Sequence, residues 1–153
     1  MAVFSETTEH LASRLWHSAL DAVRKPEAKS PQQASELLGM LQVHPIFCDL
    51  ESSLLLRMVS ALRSELVAGG DVVIRQGDLG DAFYLVASGE LAAFKDGDAA
   101  PVETYRAGRT FGELALMYDS PRQATIKCTS ADARLYRLGR VPFRTLIMDA
   151  MVS

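Results

Sequence analysis

Eight of the ten glycines fall between positions 69 and 112, and four of these are followed directly by aspartate, at 70–71, 77–78, 80–81 and 97–98. Gly-Asp pairs are turn signals, because glycine tolerates positive φ and the short aspartate side chain bonds to nearby backbone. A glycine inside a helix costs about 1 kcal/mol relative to alanine, so no long helix survives across this region. What fits between the turns is short strands. VVIRQ (72–76), AFYLVAS (82–88), ELAAFK (90–95) and VETYR (102–106) are rich in β-branched and aromatic residues, and ATIKCTS (124–130) and ARLYRL (133–138) continue the pattern. Strands of this length at regular spacing predict a sandwich or barrel with glycine at its corners.

Helical periodicity brackets the strands. Leu11, Leu15, Ala19, Leu20 and Val23 recur on one face of residues 5–24, with Trp16 beside them, until Lys25-Pro26 stops the pattern. KPEAKSPQQA (25–34) is expected to be a polar linker. Leu37, Leu38 and Leu41 mark a second helix ended by His44-Pro45. A third, capped by Asp49 or Ser52, carries Leu54, Leu55, Met58, Val59 and Leu62. Val141-Pro142-Phe143 opens a last helix, with proline near its first position. The fold class expected is α+β: a β-roll or jelly roll with flanking N-terminal helices and a short closing C-terminal helix. No internal repeat is visible.

A chain of 153 residues suffices for one domain. Its net charge of −3 argues against non-specific nucleic-acid binding, which needs a surplus of lysine and arginine. A local pocket can still attract a small anion. The first residues lack the basic and apolar regions of a secretion signal, and the apolar runs are too short to span a membrane. The expectation is a cytoplasmic protein in which Cys48 and Cys128 are reduced thiols.

The chemistry concentrates in FGELALMYDSPRQAT (111–125). Gly112 lets backbone approach a ligand closely. Glu113 opens an apolar run, Leu114 to Tyr118, long enough for one or two helical turns, whose leading amides attract anions. Asp119-Ser120-Pro121 ends the turn, and Arg122 follows, suited to gripping a phosphate through two parallel hydrogen bonds. Glu113 can accept from a sugar hydroxyl. The spacing equally allows a glutamate placed by the helix dipole and a solvated arginine. Leu114, Leu116 and Met117 are expected in the core.

FGELALMYDSPRQAT resembles the phosphate-binding cassette of cyclic-nucleotide-binding domains, particularly those of cAMP-dependent protein kinase regulatory subunits and cGMP-dependent kinases. GGDVVIRQGDLGDAFYLVASGEL (69–91) resembles the family's first strands, and ARLYRLGRVPFRTLI (133–147) its final strand and first closing helix. The resemblance covers residues 36–151. It implies two regions: an N-terminal amphipathic helix and linker over 1–35, and a cyclic-nucleotide-binding domain, short at its C-terminus, over 36–153. It implies that Glu113 binds the ribose 2′-hydroxyl and Arg122 the cyclic phosphate. Gly112 and backbone amides near Leu114, Ala115, Gln123 and Ala124 would complete the phosphate cradle. The ligand implied is cAMP, with cGMP as the alternative and no further cofactor. The function implied is a sensor regulating a kinase catalytic subunit.

Three features depart from the pattern. Gln123 stands where kinase regulatory subunits usually have alanine and cGMP-selective domains often have threonine. Near the terminus the base lid that a later helix usually supplies would draw on Met148 and Met151; otherwise it is expected from a segment outside this sequence, from a partner chain or from Trp16 on the first helix. Without a lid, a ligand of about 22 heavy atoms at roughly 0.3 kcal/mol each binds on the order of 10 μM. The nearest basic pair before the domain, Arg24-Lys25, is followed by Pro26 and matches an inhibitory Arg-Arg site poorly. The first helix could dimerise, dock a partner or pack on the roll.

Other function classes fit less well. A metal-dependent β-roll enzyme needs several inward-facing histidines or carboxylates, whereas His10, His17 and His44 all precede the roll and the first two read as a solvated helix face. No Ser-His-Asp or Cys-His set is visible. The chain is therefore expected not to be an enzyme. A domain that keeps the fold only as an interaction surface would not need Glu113 and Arg122, and a DNA-binding relative would need a helix-turn-helix for which these residues leave no room.

Overall fold

The structure, a computed structural model, describes residues 27–152. The first amphipathic helix, with Trp16, His10, His17 and the Arg24-Lys25 pair, lies outside the described residues. Those described form three α-helices, eight strands and one 3₁₀ turn.

Helix α1 spans Pro31–Gln42. The Ser30 hydroxyl accepts from the Gln33 N–H (3.1 Å), and the Gln33 side chain accepts from the Ser30 N–H (2.9 Å). This reciprocal cap, with Pro31 supplying a preset φ, starts the helix inside the stretch expected to be a linker. The remaining linker residues are tied down as well. Lys29 Nζ donates to the Leu62 carbonyl (2.6 Å), and the Glu27 carboxylate accepts from the Ser64 hydroxyl (2.8 Å).

Helix α2 spans Ser52–Ala61. Its N-cap is Glu51, without a side-chain cap bond, so neither Asp49 nor Ser52 plays that part. Leu62 turns extended and strand β1, Arg63–Ala68, follows at once. That strand was not legible in RSELVA. It lies at a sheet edge with Leu66 exposed, and its three polar residues followed by three apolar ones show no period-two alternation.

The remaining strands are β2 (Val72–Ile74), β3 (Ala82–Ser88), β4 (Leu91–Phe94), β5 (Glu103–Tyr105), β6 (Thr110–Phe111), β7 (Thr125–Cys128) and β8 (Asp132–Gly139). They form two antiparallel four-stranded sheets, ordered β1-β8-β3-β6 and β2-β7-β4-β5. The two-residue β6 was also unforeseen.

Two apolar clusters result. Tyr84, Val86, Ala133 and Leu135 of the first sheet meet Ile74, Leu91, Ala93 and Ile126 of the second between the sheets. The opposite face of β3 and β8, Phe83, Leu85, Tyr136 and Leu138, packs under α1, α2 and the closing helix α3 (Arg140–Val152) against Leu41, Phe47, Met58 and Phe143. Covered on both faces, Ala82–Val86 is an unbroken buried run. Cys48 and Cys128 are free. Among the described residues, no helix is long and apolar enough to cross a membrane.

Candidate functional site

Strand β6 ends at Gly112, whose φ of +83° lies in the left-handed region. The chain then makes the 3₁₀ turn Glu113–Leu116, with the Ala115 N–H donating to the Gly112 carbonyl (3.1 Å). One such turn can press only part of its circumference inward. Ala115 and Leu116 are buried, whereas Leu114, Met117 and Tyr118 are exposed. The expectation of a wholly core run therefore fails for Leu114 and Met117.

The segment after the turn is clamped by the Gly-Asp corner before β3. Gly77 N–H donates to the Arg122 carbonyl (2.9 Å), Arg122 N–H to the Asp78 carbonyl (2.8 Å) and Gly80 N–H to the Ser120 carbonyl (3.3 Å). Leu79 and Pro121 pair between them. Thus Arg122 does not swing free on a surface loop. Its guanidinium lies between two glycines: a Cβ on Gly112 would sit 2.7 Å from Nη1, and one on Gly80 would sit 2.7 Å from Cζ. Gly112 thus makes room for the arginine. Nη2 donates to the Ala82 carbonyl (2.7 Å). Among the described residues no ion pair holds this guanidinium. Burial pushes its pKa below the ordinary value, with Tyr84 and Asp81 opposing the shift.

Glu113 is held from the opposite side. Its Oε1 accepts from the Thr110 hydroxyl and faces His44 Nε2 at 3.2 Å; the same nitrogen is 3.1 Å from the Thr110 Oγ. Among the described residues, no donor reaches Oε2. His44 arrives from the turn after α1, more than sixty residues earlier.

Both side chains open on one cavity of about 340 Å³, within the range of small-molecule sites. Every residue expected at the site lines it: Gly112, Glu113, Leu114, Ala115, Arg122, Gln123 and Ala124. Ala115, however, already spends its N–H on the Gly112 carbonyl. The wall opposite was not anticipated. It includes Glu103, Tyr105 and Arg109, where Arg109 Nη2 donates to Glu103 Oε1 (2.8 Å) and Arg109 Cζ stands 5.5 Å from the Tyr105 ring centre. Strand residues with no motif of their own offered no signal. Met148 is exposed and is not part of the cavity wall.

The closing helix touches the same machinery. Arg140 donates to the Asp119 carboxylate and to the Gly80 carbonyl, and Arg144 Nη2 reaches the Met117 carbonyl at 3.5 Å. Among the described residues, no cluster of three or more histidines, cysteines or carboxylates is arranged to hold a metal.

The sequence model of the cyclic nucleotide-binding domain matches residues 65–150. The chain is 41% identical over 133 residues to the cAMP-dependent protein kinase regulatory subunit of Blastocladiella emersonii, covering 85% of this chain and 33% of that protein. It thus spans about a third of the length of that curated relative. Among solved structures, the regulatory domain of Toxoplasma gondii PKA with cAMP superposes with a TM-score of 0.72 at 34% identity, over 80% of this chain and 48% of that one. The regulatory subunit of a cAMP-independent protein kinase A from Trypanosoma brucei superposes with a TM-score of 0.71 at 26% identity, over 85% and 47%.

Proposed function

This chain belongs to the cyclic nucleotide-binding domain family, and from that premise we propose that it is the cAMP-sensing module of a protein kinase regulatory subunit. One observation carries the reading. A half-buried guanidinium without a carboxylate partner among the described residues shares a cavity with a carboxylate that keeps one oxygen free. A phosphodiester fused to a ribose fits both demands: the Arg122 guanidinium takes the anionic phosphate oxygens, and Glu113 Oε2 accepts the 2′-hydroxyl. Gly112, Leu114, Gln123 and Ala124 present backbone to the phosphate side. Ala115 joins them once its N–H leaves the Gly112 carbonyl. The base then extends toward Glu103, Tyr105 and Arg109.

The path to a partner runs through Arg122. Drawing its guanidinium onto a phosphate strains the clamp on residues 77–80, and the Gly80 carbonyl is also held by Arg140 at the start of α3. Ligand thereby biases the closing helix through a contact that differs between the two states. The partner is a kinase catalytic subunit. The module performs no chemistry, uses no cofactor and works in the cytoplasm. The two T. gondii and B. emersonii relatives favour cAMP over cGMP as the ligand.

Thermal unfolding with cAMP, cGMP and adenosine tests this. With a dissociation constant on the order of 10 μM, 1 mM cAMP adds about 2.7 kcal/mol and raises the midpoint by about 8 °C. The expected order is cAMP, then cGMP, then adenosine. Equal shifts from adenosine and cAMP would remove the phosphate from the reading, and a larger shift from cGMP would reassign the ligand.

A further inference from the structure

His44 is the one histidine among the described residues, and it lies against the site rather than beside a solvated helix. Its Nδ1 accepts from the Ile46 N–H at 3.1 Å. That bond uses the lone pair of Nδ1, so in the neutral ring the proton resides on Nε2. Nε2–H then points to Glu113 Oε1 (3.2 Å) and the Thr110 Oγ (3.1 Å), while the Thr110 hydroxyl donates to the same Oε1. Two donors therefore converge on one carboxylate oxygen. The ring is itself fixed between Phe47 (centroids 5.1 Å apart) and Phe83 (6.1 Å), both fully buried in the core under the helices.

We propose that His44 is the positioning residue of the ribose site: with Thr110 it locks Glu113 so that Oε2 faces the ligand, and it makes the α1–α2 turn a direct reader of ribose engagement. This inference rests on the reading of Glu113 as the hydroxyl acceptor. The physical gain is preorganisation. A glutamate free to rotate must be ordered on binding, whereas one already gripped through Oε1 presents Oε2 without that cost. Because His44 acts through Glu113 alone, its contribution appears only for ligands carrying a 2′-hydroxyl.

The test is calorimetric titration of wild type, His44→Phe, His44→Gln and Thr110→Val with cAMP and 2′-deoxy-cAMP. Phenylalanine keeps the ring packing and removes the N–H; glutamine keeps an N–H donor. His44→Phe is expected to weaken cAMP about tenfold and leave 2′-deoxy-cAMP within about twofold. Thr110→Val follows the same pattern, and His44→Gln recovers most of the cAMP preference. If His44→Phe fails to fold, the Thr110→Val and His44→Gln ratios decide. Equal weakening of both ligands, or an unchanged ratio, assigns His44 to packing and overturns the proposal. A wild type that does not distinguish the two ligands removes Glu113 from the ribose, and this inference falls with it. A wild-type preference that survives in all variants defeats only the role of His44.

Discussion

Arg122→Met separates an arginine kept for a ligand from one kept for the fold. In the unliganded protein two effects oppose one another. Losing Nη2 strips the Ala82 carbonyl of its 2.7 Å hydrogen bond, which costs about 1–3 kcal/mol if that oxygen stays buried and unpaired. Removing the guanidinium also relieves a cation that burial already disfavours and that no ion pair compensates among the described residues. Methionine fills much of the same volume between Gly80 and Gly112. The net change in unliganded stability is expected to be within about 1.5 kcal/mol. Binding has no such cancellation. Loss of a charge-assisted, two-pronged grip on phosphate costs about 2–3 kcal/mol, or about 30- to 150-fold in the dissociation constant. At a ligand concentration 100 times the wild-type constant, the wild type gains about 2.7 kcal/mol and a variant weakened 100-fold gains about 0.4 kcal/mol. Thermal unfolding with and without 1 mM cAMP reads both quantities in one experiment. A variant bound by cAMP within threefold of wild type refutes the ligand role. A collapse of the unliganded midpoint with little change in affinity makes Arg122 a structural post instead.

Four further predictions follow from the packing. Gly112→Ala places a Cβ 2.7 Å from Arg122 Nη1 at a φ of +83°, so it should lose about 1–2 kcal/mol of stability from the backbone alone and weaken cAMP as well. Gly80→Ala has no positive φ but meets both the same guanidinium and the Ala115 Cβ at 2.8 Å, so calorimetry should find weaker cAMP binding and urea unfolding a lower stability. Burial raises the Tyr84 phenol above its usual 10.0, and burial with nearby Glu103 raises Tyr105. The unfolded chain therefore releases these protons first, and urea midpoints should hold below pH 10 and fall as the pH rises past it. Phe47→Ala, at a fully buried position joining the helices to β3, should cost about 3–5 kcal/mol in urea unfolding.

Much of this architecture is written locally. A glycine-aspartate corner needs only its own residues, and so AFYLVAS is a strand with the bounds the sequence suggests. The turn at Glu113 and the end of the helix before His44-Pro45 are equally local, although the bounds of both differ from the expected ones. The seven residues expected at the site all line one cavity, because Gly112–Ala115 opens the turn and Arg122–Ala124 follows shortly after it. Ser30-Pro31 with Gln33 was equally local, yet the polar composition of the linker masked a complete helix cap.

Other features exist only because distant segments meet. Strand β1 is defined by its partner β8 rather than by RSELVA itself. Leu114 and Met117 face outward because the turn docks through Ala115 and Leu116. The guanidinium of Arg122 acquires its seat from Gly80, some forty residues earlier, and Glu113 acquires its anchor from His44, 69 residues away. Residue type and spacing specify which groups can bind a sugar and a phosphate. Which oxygen of the carboxylate is left free, and how dry the cation becomes, depend on through-space distances and burial. The first is decided when the helical layer brings His44 to Glu113, and the second when the corner at Gly80 folds against the turn.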